Sequence, residues 1–69
     1  MTPREAVVRV LREAGEPLHW TAIQDRALRA GYLDPFTTTD VRGEVQRALH
    51  ALRTDGSIDR VDTGVYAAR

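Results

Sequence analysis

The spacing of apolar residues along this chain changes once, near residue 56, from a helical period to the shorter period of strands. Before that point apolar side chains recur every three or four residues in three segments, and a glycine follows each segment. After it, strand-forming residues lie on both sides of Asp62-Thr63-Gly64, a sequence typical of a tight hairpin turn. These residues are Ile58, Val61, Val65 and Tyr66. The pattern predicts three helices followed by a C-terminal β-hairpin.

The first helix begins at a capping box. In Thr2-Pro3-Arg4-Glu5 the threonine oxygen can accept from the free amides, Glu5 can reach back to the cap, and proline occupies the first helical position. The stripe that follows predicts a helix over 3–14, which Gly15 ends in the left-handed conformation. The apolar residues of the stripe are Ala6, Val7, Val10, Leu11 and Ala14.

A short extended segment and a second helix come next. Pro17 forbids a helix around Leu18-His19, so we expect an extended stub there, with His19 bonding the backbone at the start of the next helix. That helix is predicted over 20–30 and ends at Gly31. Its inward-facing residues are expected to be Trp20, Ile23, Ala27 and Leu28.

The third helix is predicted over about 40–53 from the stripe Val41, Val45, Ala48, Leu49 and Leu52. Thr38 or Thr39 is expected to be its N-cap, with Asp40 well placed for the positive end of the helix dipole. The preceding loop is longer than most, so Leu33 and Phe36 are expected to tuck under it.

The predicted order is helix, short strand, helix, helix, strand, strand, which is the order of a winged helix-turn-helix. A two-stranded hairpin is marginal in water, and Leu18 can supply a third strand. Ile58 and Val61 lie three residues apart, so the first hairpin strand needs a bulge or a stronger twist. We expect an α+β fold, with three helices and a small three-stranded antiparallel sheet, as a single domain over 1–69. A generic α+β domain with three helices is the alternative.

Three stretches, residues 16–33, 37–41 and 56–69, resemble the HARE-HTH family of winged helices. The matching residues are Leu18, His19, Ile23, Gly31, Thr37, Thr38, Thr39, Gly56, Arg60, Val61, Gly64 and Tyr66. The chain departs from the family at Asp40, where the family usually continues its threonine with proline, and at Ala67-Ala68, where leucine is usual. The resemblance implies a non-catalytic, DNA-associated module similar to the N-terminal domain of the bacterial RNA polymerase delta subunit, in transcription or DNA-modification systems.

The charge balance argues against a strongly binding nucleic-acid domain. The chain has ten arginines and ten acidic residues, whereas such domains are normally basic. Residues 41–54, however, contain three arginines and only one acidic residue, Glu44, which gives this segment a local charge of +2. In the hairpin, Asp59 and Asp62 flank Arg60, so few phosphates would be neutralised. We expect weak or avidity-dependent binding.

In a helix-turn-helix the third helix presents its exposed side to the major groove. Gln46 can pair with adenine and Arg47 with guanine, and His50 would lie beside them. Gly43 on that side indicates either close approach of a ligand or drift. Phosphate contacts are expected from Thr37, Thr38, Thr39, Arg42, Arg53 and Arg60. Double-stranded DNA is the expected partner.

The alternative is a winged helix that docks onto RNA polymerase or another protein through its first helix or its hairpin, as the zero net charge favours. Trp20 bears on this choice, because it either packs at the start of the second helix or lies exposed beside Val8 and Tyr32 as a binding patch. A basic stripe continuous with Arg4 or Arg60 would favour DNA. Scattered, acid-paired arginines would favour a protein.

Catalysis, membranes and cofactors have no support in the sequence. The two histidines lack metal-ligand spacing, Ser57 has no base nearby in sequence, and the hairpin aspartates are better explained by solubility. The chain has no cysteine for a disulfide or a zinc site, and Arg4 and Glu5 interrupt any signal-peptide segment. We expect a cytoplasmic, non-enzymatic chain with no cofactor, metal, membrane contact or small-molecule substrate.

Overall fold

The computed structural model describes residues 1–69, and its elements follow the predicted order. Helix α1 covers Pro3–Ala14, strand β1 Leu18–His19, helix α2 Trp20–Arg29, helix α3 Val41–Thr54, strand β2 Ile58–Asp62 and strand β3 Val65–Ala68. The three strands form one antiparallel sheet in the order β1-β3-β2. The predicted α+β winged helix-turn-helix is confirmed.

The core is built only from apolar side chains. All thirteen buried residues are hydrophobic, and the largest that are fully buried come from every helix and from β2. They are Val7, Leu11, Ile23, Val45, Leu49 and Ile58. Leu18 of β1 and Leu33 of the α2–α3 loop close the cluster at its edges. Because no disulfide supports so short a chain, this cluster has to supply most of the stability.

The sheet register resolves the uneven spacing of the hairpin. Leu18 pairs with Tyr66, and across the hairpin Arg60 also pairs with Tyr66. Asp62 then pairs with Val65, so Val61 is an extra residue at a β-bulge. The bulge, one of the two possibilities left open by the sequence, leaves the Val61 side chain 53% exposed.

The predicted starts of the first two helices are confirmed. Thr2 Oγ1 accepts from the Glu5 N–H at 3.2 Å, and the Glu5 carboxylate accepts from the Thr2 hydroxyl at 3.0 Å. At α2, His19 Nδ1 accepts from the Thr21 N–H at 3.3 Å, which makes His19 the N-cap.

The predicted N-cap of α3 is wrong. Asp40, not Thr38 or Thr39, caps the helix, and its Oδ1 accepts from the Gly43 N–H at 3.0 Å. The preceding turn, in which the Asp34 carbonyl accepts from the Thr38 N–H at 3.0 Å, ends before the helix begins. Because the first helical residue is Val41, the aspartate directly before it takes the capping position, and both threonines lie too early in the chain.

The predicted burial of Phe36 is also wrong, whereas that of Leu33 is confirmed. Leu33 is 4% exposed and Phe36 is 96% exposed. The Asp34 carboxylate accepts from the Phe36 N–H at 2.9 Å, which holds residues 34–37 in a turn on the surface. The aromatic side chain is therefore directed away from the core.

Gly43 makes room for the cap of α3. A Cβ atom on Gly43 would overlap the Asp40 carboxylate, with the Asp40 Cγ only 2.7 Å away. Neither ligand approach nor drift is needed to explain this glycine, because the cap itself requires the space.

We expect the cap and the glycine to be energetically coupled. Asp40→Ala should lower the free energy of unfolding by about 1 kcal/mol through loss of the cap. In that background Gly43→Ala should be stabilising by up to about 1 kcal/mol, because alanine is the better helix former. In the wild type the gain should be smaller, since the new methyl group displaces the carboxylate. Urea unfolding of the four variants measures the coupling, and an equal gain in both backgrounds would contradict this explanation.

A three-residue cluster joins α1 to the loop after α2. The Tyr32 hydroxyl donates to Glu13 Oε1 at 2.6 Å, and the Arg9 guanidinium lies 5.3 Å from the centre of the Tyr32 ring. Arg9 also pairs with Glu13 at 3.9 Å. The hydrogen bond to Glu13, followed by desolvation and the Glu13 charge, raises the pKa of Tyr32 above its ordinary value of 10.0.

Tyr32 should therefore make stability depend on alkaline pH. Because its folded pKa is raised, its contribution is fully present below the unfolded pKa of 10.0 and is lost as pH rises through the folded value. Tyr32→Phe should flatten this fall, measured by urea unfolding between about pH 9 and 12. Tyr66→Phe is the matched control, and an unchanged slope in Tyr32→Phe would contradict the assignment.

Candidate nucleic-acid interface

The exposed side of α3 carries the residues predicted to read DNA. The helix buries Val45, Ala48, Leu49 and Leu52, which leaves Arg42, Arg47, His50 and Arg53 exposed and Gln46 half-buried. Successive residues turn by about 100° around a helix, so these side chains occupy more than one side of the exposed arc. Their neighbours on other elements decide which of them can act together.

Arg53 at the end of α3 and Arg60 on β2 line the same groove. Its volume is about 260 Å³, and Val61, Asp62 and Thr63 complete the lining. Neither arginine forms an ion pair with a carboxylate. Arg60 Nε donates to the Asp62 carbonyl at 3.3 Å, which orients the guanidinium along the hairpin. The helix and the hairpin thus each contribute to this groove one arginine that forms no ion pair, although Asp62 also lines it.

Arg42, in the first turn of α3, lies against Trp20. Its guanidinium carbon is 5.1 Å from the centre of the Trp20 ring, a cation–π contact. Trp20 is half-buried against the core, as predicted, and its backbone N–H donates to the Gly64 carbonyl in the hairpin turn at 2.8 Å. At exposed sites such a contact contributes only about 0.5–1 kcal/mol, so Arg42 remains available to a phosphate.

Arg47 lies on the other side of α3. It pairs with Glu44 at 3.1 Å and lines a groove with Thr2, Pro3 and Arg4 beside the start of α1. The structure therefore separates Arg47 from the groove that Arg53 shares with the hairpin.

Thr38 and Thr39 precede the N-terminus of α3. Thr38 is half-buried and Thr39 is exposed, and their hydroxyls make no hydrogen bond within the chain. Only the Thr37 hydroxyl is engaged, since it donates to the Asp34 carbonyl at 3.3 Å.

Acidic residues at both ends of α3 cancel the net positive charge of the helix. With Asp40 and Asp55 included, three arginines face three acids over 40–55, so the sum falls from +2 to zero. The Ser57 hydroxyl and then its N–H, which donates to Oδ1 at 2.9 Å, lower the pKa of Asp55. In the hairpin, Asp59 is paired with Arg69 at 3.5 Å and is thereby partly neutralised. Net charge therefore does not make this surface basic; any basic character depends on where the unpaired arginines lie.

No three His, Asp or Glu side chains lie close enough together to hold a metal ion. Asp62 Oδ1 accepts from the Thr63 N–H at 2.7 Å within the hairpin turn, so this carboxylate has a structural contact.

The contact between Trp20 and the hairpin turn was not foreseen from the sequence. It depends on Gly64, whose φ is +70° and whose Cβ position would lie 2.9 Å from His19 Nε2 and 3.2 Å from Trp20 Cδ1. The only local signal is a glycine at a turn, which hairpins require for other reasons.

Gly64→Ala should destabilise the chain more than the matched substitution Gly31→Ala. Both glycines have positive φ, so each alanine costs about 1–2 kcal/mol of backbone strain. Nothing lies within 4 Å of the Gly31 Cβ position, whereas at Gly64 the methyl group displaces His19 or Trp20. Urea unfolding followed by tryptophan fluorescence measures the difference, and equal losses would show that the turn does not press on α2.

Comparison of the chain with protein-family profiles, with curated proteins and with solved structures finds no match. The HARE-HTH resemblance therefore stays a prediction. None of the three helices has the length and apolar composition needed to cross a membrane.

Proposed function

We propose that this chain is a small winged-helix module that binds double-stranded DNA in transcription or DNA-modification systems. The observation that carries the proposal is the groove that Arg53 of α3 and Arg60 of β2 both line, since neither arginine forms an ion pair with a carboxylate. A basic helix face continuous with the hairpin is what a DNA backbone requires of this fold.

In the proposed complex α3 enters the major groove. Gln46 and His50 face the bases, and Arg53 and Arg60 contact phosphates from the helix and from the hairpin. Arg42 reaches a phosphate from its position on Trp20, and Thr38 and Thr39 offer hydroxyls beside the N-terminus of α3.

Arg47 has a conditional role in this complex. To contact a guanine it must leave Glu44, an exchange that costs little because exposed ion pairs contribute about 0–1 kcal/mol. Arg47 is therefore proposed as a secondary base contact.

The proposed binding is weak or dependent on avidity. The zero net charge and the aspartates around Arg60 limit the number of neutralised phosphates. The resemblance to the HARE-HTH family supports a non-catalytic role of this kind, in the cytoplasm of a bacterial cell.

The test is a salt-dependent titration of labelled duplex DNA by fluorescence anisotropy between about 50 and 200 mM salt. Arg53→Ala and Arg60→Ala should each weaken binding to all sequences and reduce the slope of log K against log salt by about one. In the double variant this slope should decrease by about two.

Arg12→Ala is the matched control, because it removes an exposed arginine that lies in α1 and forms no ion pair. It should leave affinity and slope unchanged. Equal losses from Arg12→Ala, or unchanged binding in the Arg53/Arg60 double variant, would reject the proposed DNA surface.

A further inference from the structure

A second groove runs along the exposed side of α1 and shares no residue with the groove of Arg53 and Arg60. Its volume is about 600 Å³, and its lining residues are Arg4, Glu5, Val8, Arg9, Arg12, Glu13 and Leu52. Val8 is half-buried and contributes apolar surface together with Leu52 of α3. The groove is thus an apolar strip bordered by charged side chains.

The two acids of this groove are already engaged within the chain. Glu5 closes the capping box with Thr2, and Glu13 accepts from the Tyr32 hydroxyl and pairs with Arg9. Arg9 is further occupied by the Tyr32 ring. Both carboxylates remain charged, but three arginines and two glutamates line the groove, so its net charge is +1.

The remaining charges are Arg4 and Arg12, and the charge of Arg4 also contributes to lowering the pKa of Asp55 at the end of α3. Arg4 and Arg12 form no ion pair and make no hydrogen bond with another side chain. They lie four residues before and four residues after Val8, so the three residues follow one side of α1. The helical rise puts the two arginines about 12 Å apart along the axis, with the apolar strip between them.

We propose that this groove binds an acidic amphipathic helix of a partner protein. The occupant carries an apolar side chain against Val8 and Leu52, and carboxylates on either side of it meet Arg4 and Arg12. Charge complementarity indicates the partner's chemistry, because two guanidinium groups without an ion pair bracket the apolar strip and the lining has a net charge of +1. Carboxylates about seven residues apart on one helix face match this spacing.

The probe is a synthetic, fluorescently labelled helical peptide of about 14 residues with leucines between two glutamates about seven residues apart. Its anisotropy is measured against the intact chain. Arg4→Ala and Arg12→Ala should each weaken binding by about fivefold or more, and added salt should weaken wild-type binding. A peptide with glutamine in place of glutamate should bind at least about tenfold more weakly than the acidic peptide.

Arg53→Ala is the control, since it removes an unpaired arginine outside this groove, and it should leave peptide binding unchanged. Val8→Ala should reduce binding without changing its salt dependence, because it removes apolar contact only. Urea unfolding of each variant shows that the fold is retained.

The proposal is overturned if the acidic peptide does not bind, if the glutamine peptide binds equally well, or if Arg53→Ala weakens binding as much as Arg12→Ala. Displacement of the peptide by duplex DNA that persists in the Arg53/Arg60 double variant would assign the groove to nucleic acid instead. Failure of DNA binding at Arg53 and Arg60 leaves the peptide result intact, so the two proposals fail separately.

Discussion

The pairing of the two-residue strand β1 with β3 is the contact on which the rest of the molecule depends. Leu18 inserts into the core while its backbone joins the hairpin, so one short segment ties the sheet to the helices. A two-stranded hairpin is only marginally stable in water, and a third strand with a buried side chain removes that weakness. The same pairing brings the hairpin turn to Trp20, where the Trp20 backbone N–H donates to the Gly64 carbonyl. Both arginine positions beside the hairpin follow from this attachment, because Arg42 packs on Trp20 and β2 carries Arg60 to Arg53.

A net charge of zero conceals an uneven use of arginine. Four arginines are paired with acids: Arg9, Arg29, Arg47 and Arg69. Among the six without an acidic partner are the two in the groove beside the hairpin and the two along α1. Most carboxylates take part in helix caps, turns or ion pairs close to their own position. Parts of the surface are therefore positive although the chain as a whole is neutral. This division is the common basis of the proposed DNA surface and of the proposed peptide groove.

Local signals predicted most of the fold and failed where several residues competed for one role. The capping box at Thr2, the histidine cap of α2 and the core stripes follow from nearest-neighbour geometry, and all are present. At the start of α3 the sequence predicted Thr38 or Thr39 as the cap and assigned Asp40 only to the helix dipole. The path of the loop decided the outcome, because it places Asp40 directly before the first helical residue, and the turn on Asp34 directs Phe36 outward. Such a choice depends on the path of the whole loop, and the capping preferences of single residues carry no information about that path.

The order of elements, the buried faces and the hairpin with its irregular strand were all written in the spacing of apolar residues, because periodicity is a property of neighbours along the chain. Folding in three dimensions decided which exposed side chains meet. Arg53 and Arg47 lie on the same exposed arc of α3, yet one faces the hairpin and the other faces the start of α1. Their surroundings depend on where β2 and α1 pack, and those positions are set by contacts between residues distant in sequence. The candidate sites therefore arise from packing: Arg53 and Arg60 were predicted as site residues, whereas the groove along α1 was not.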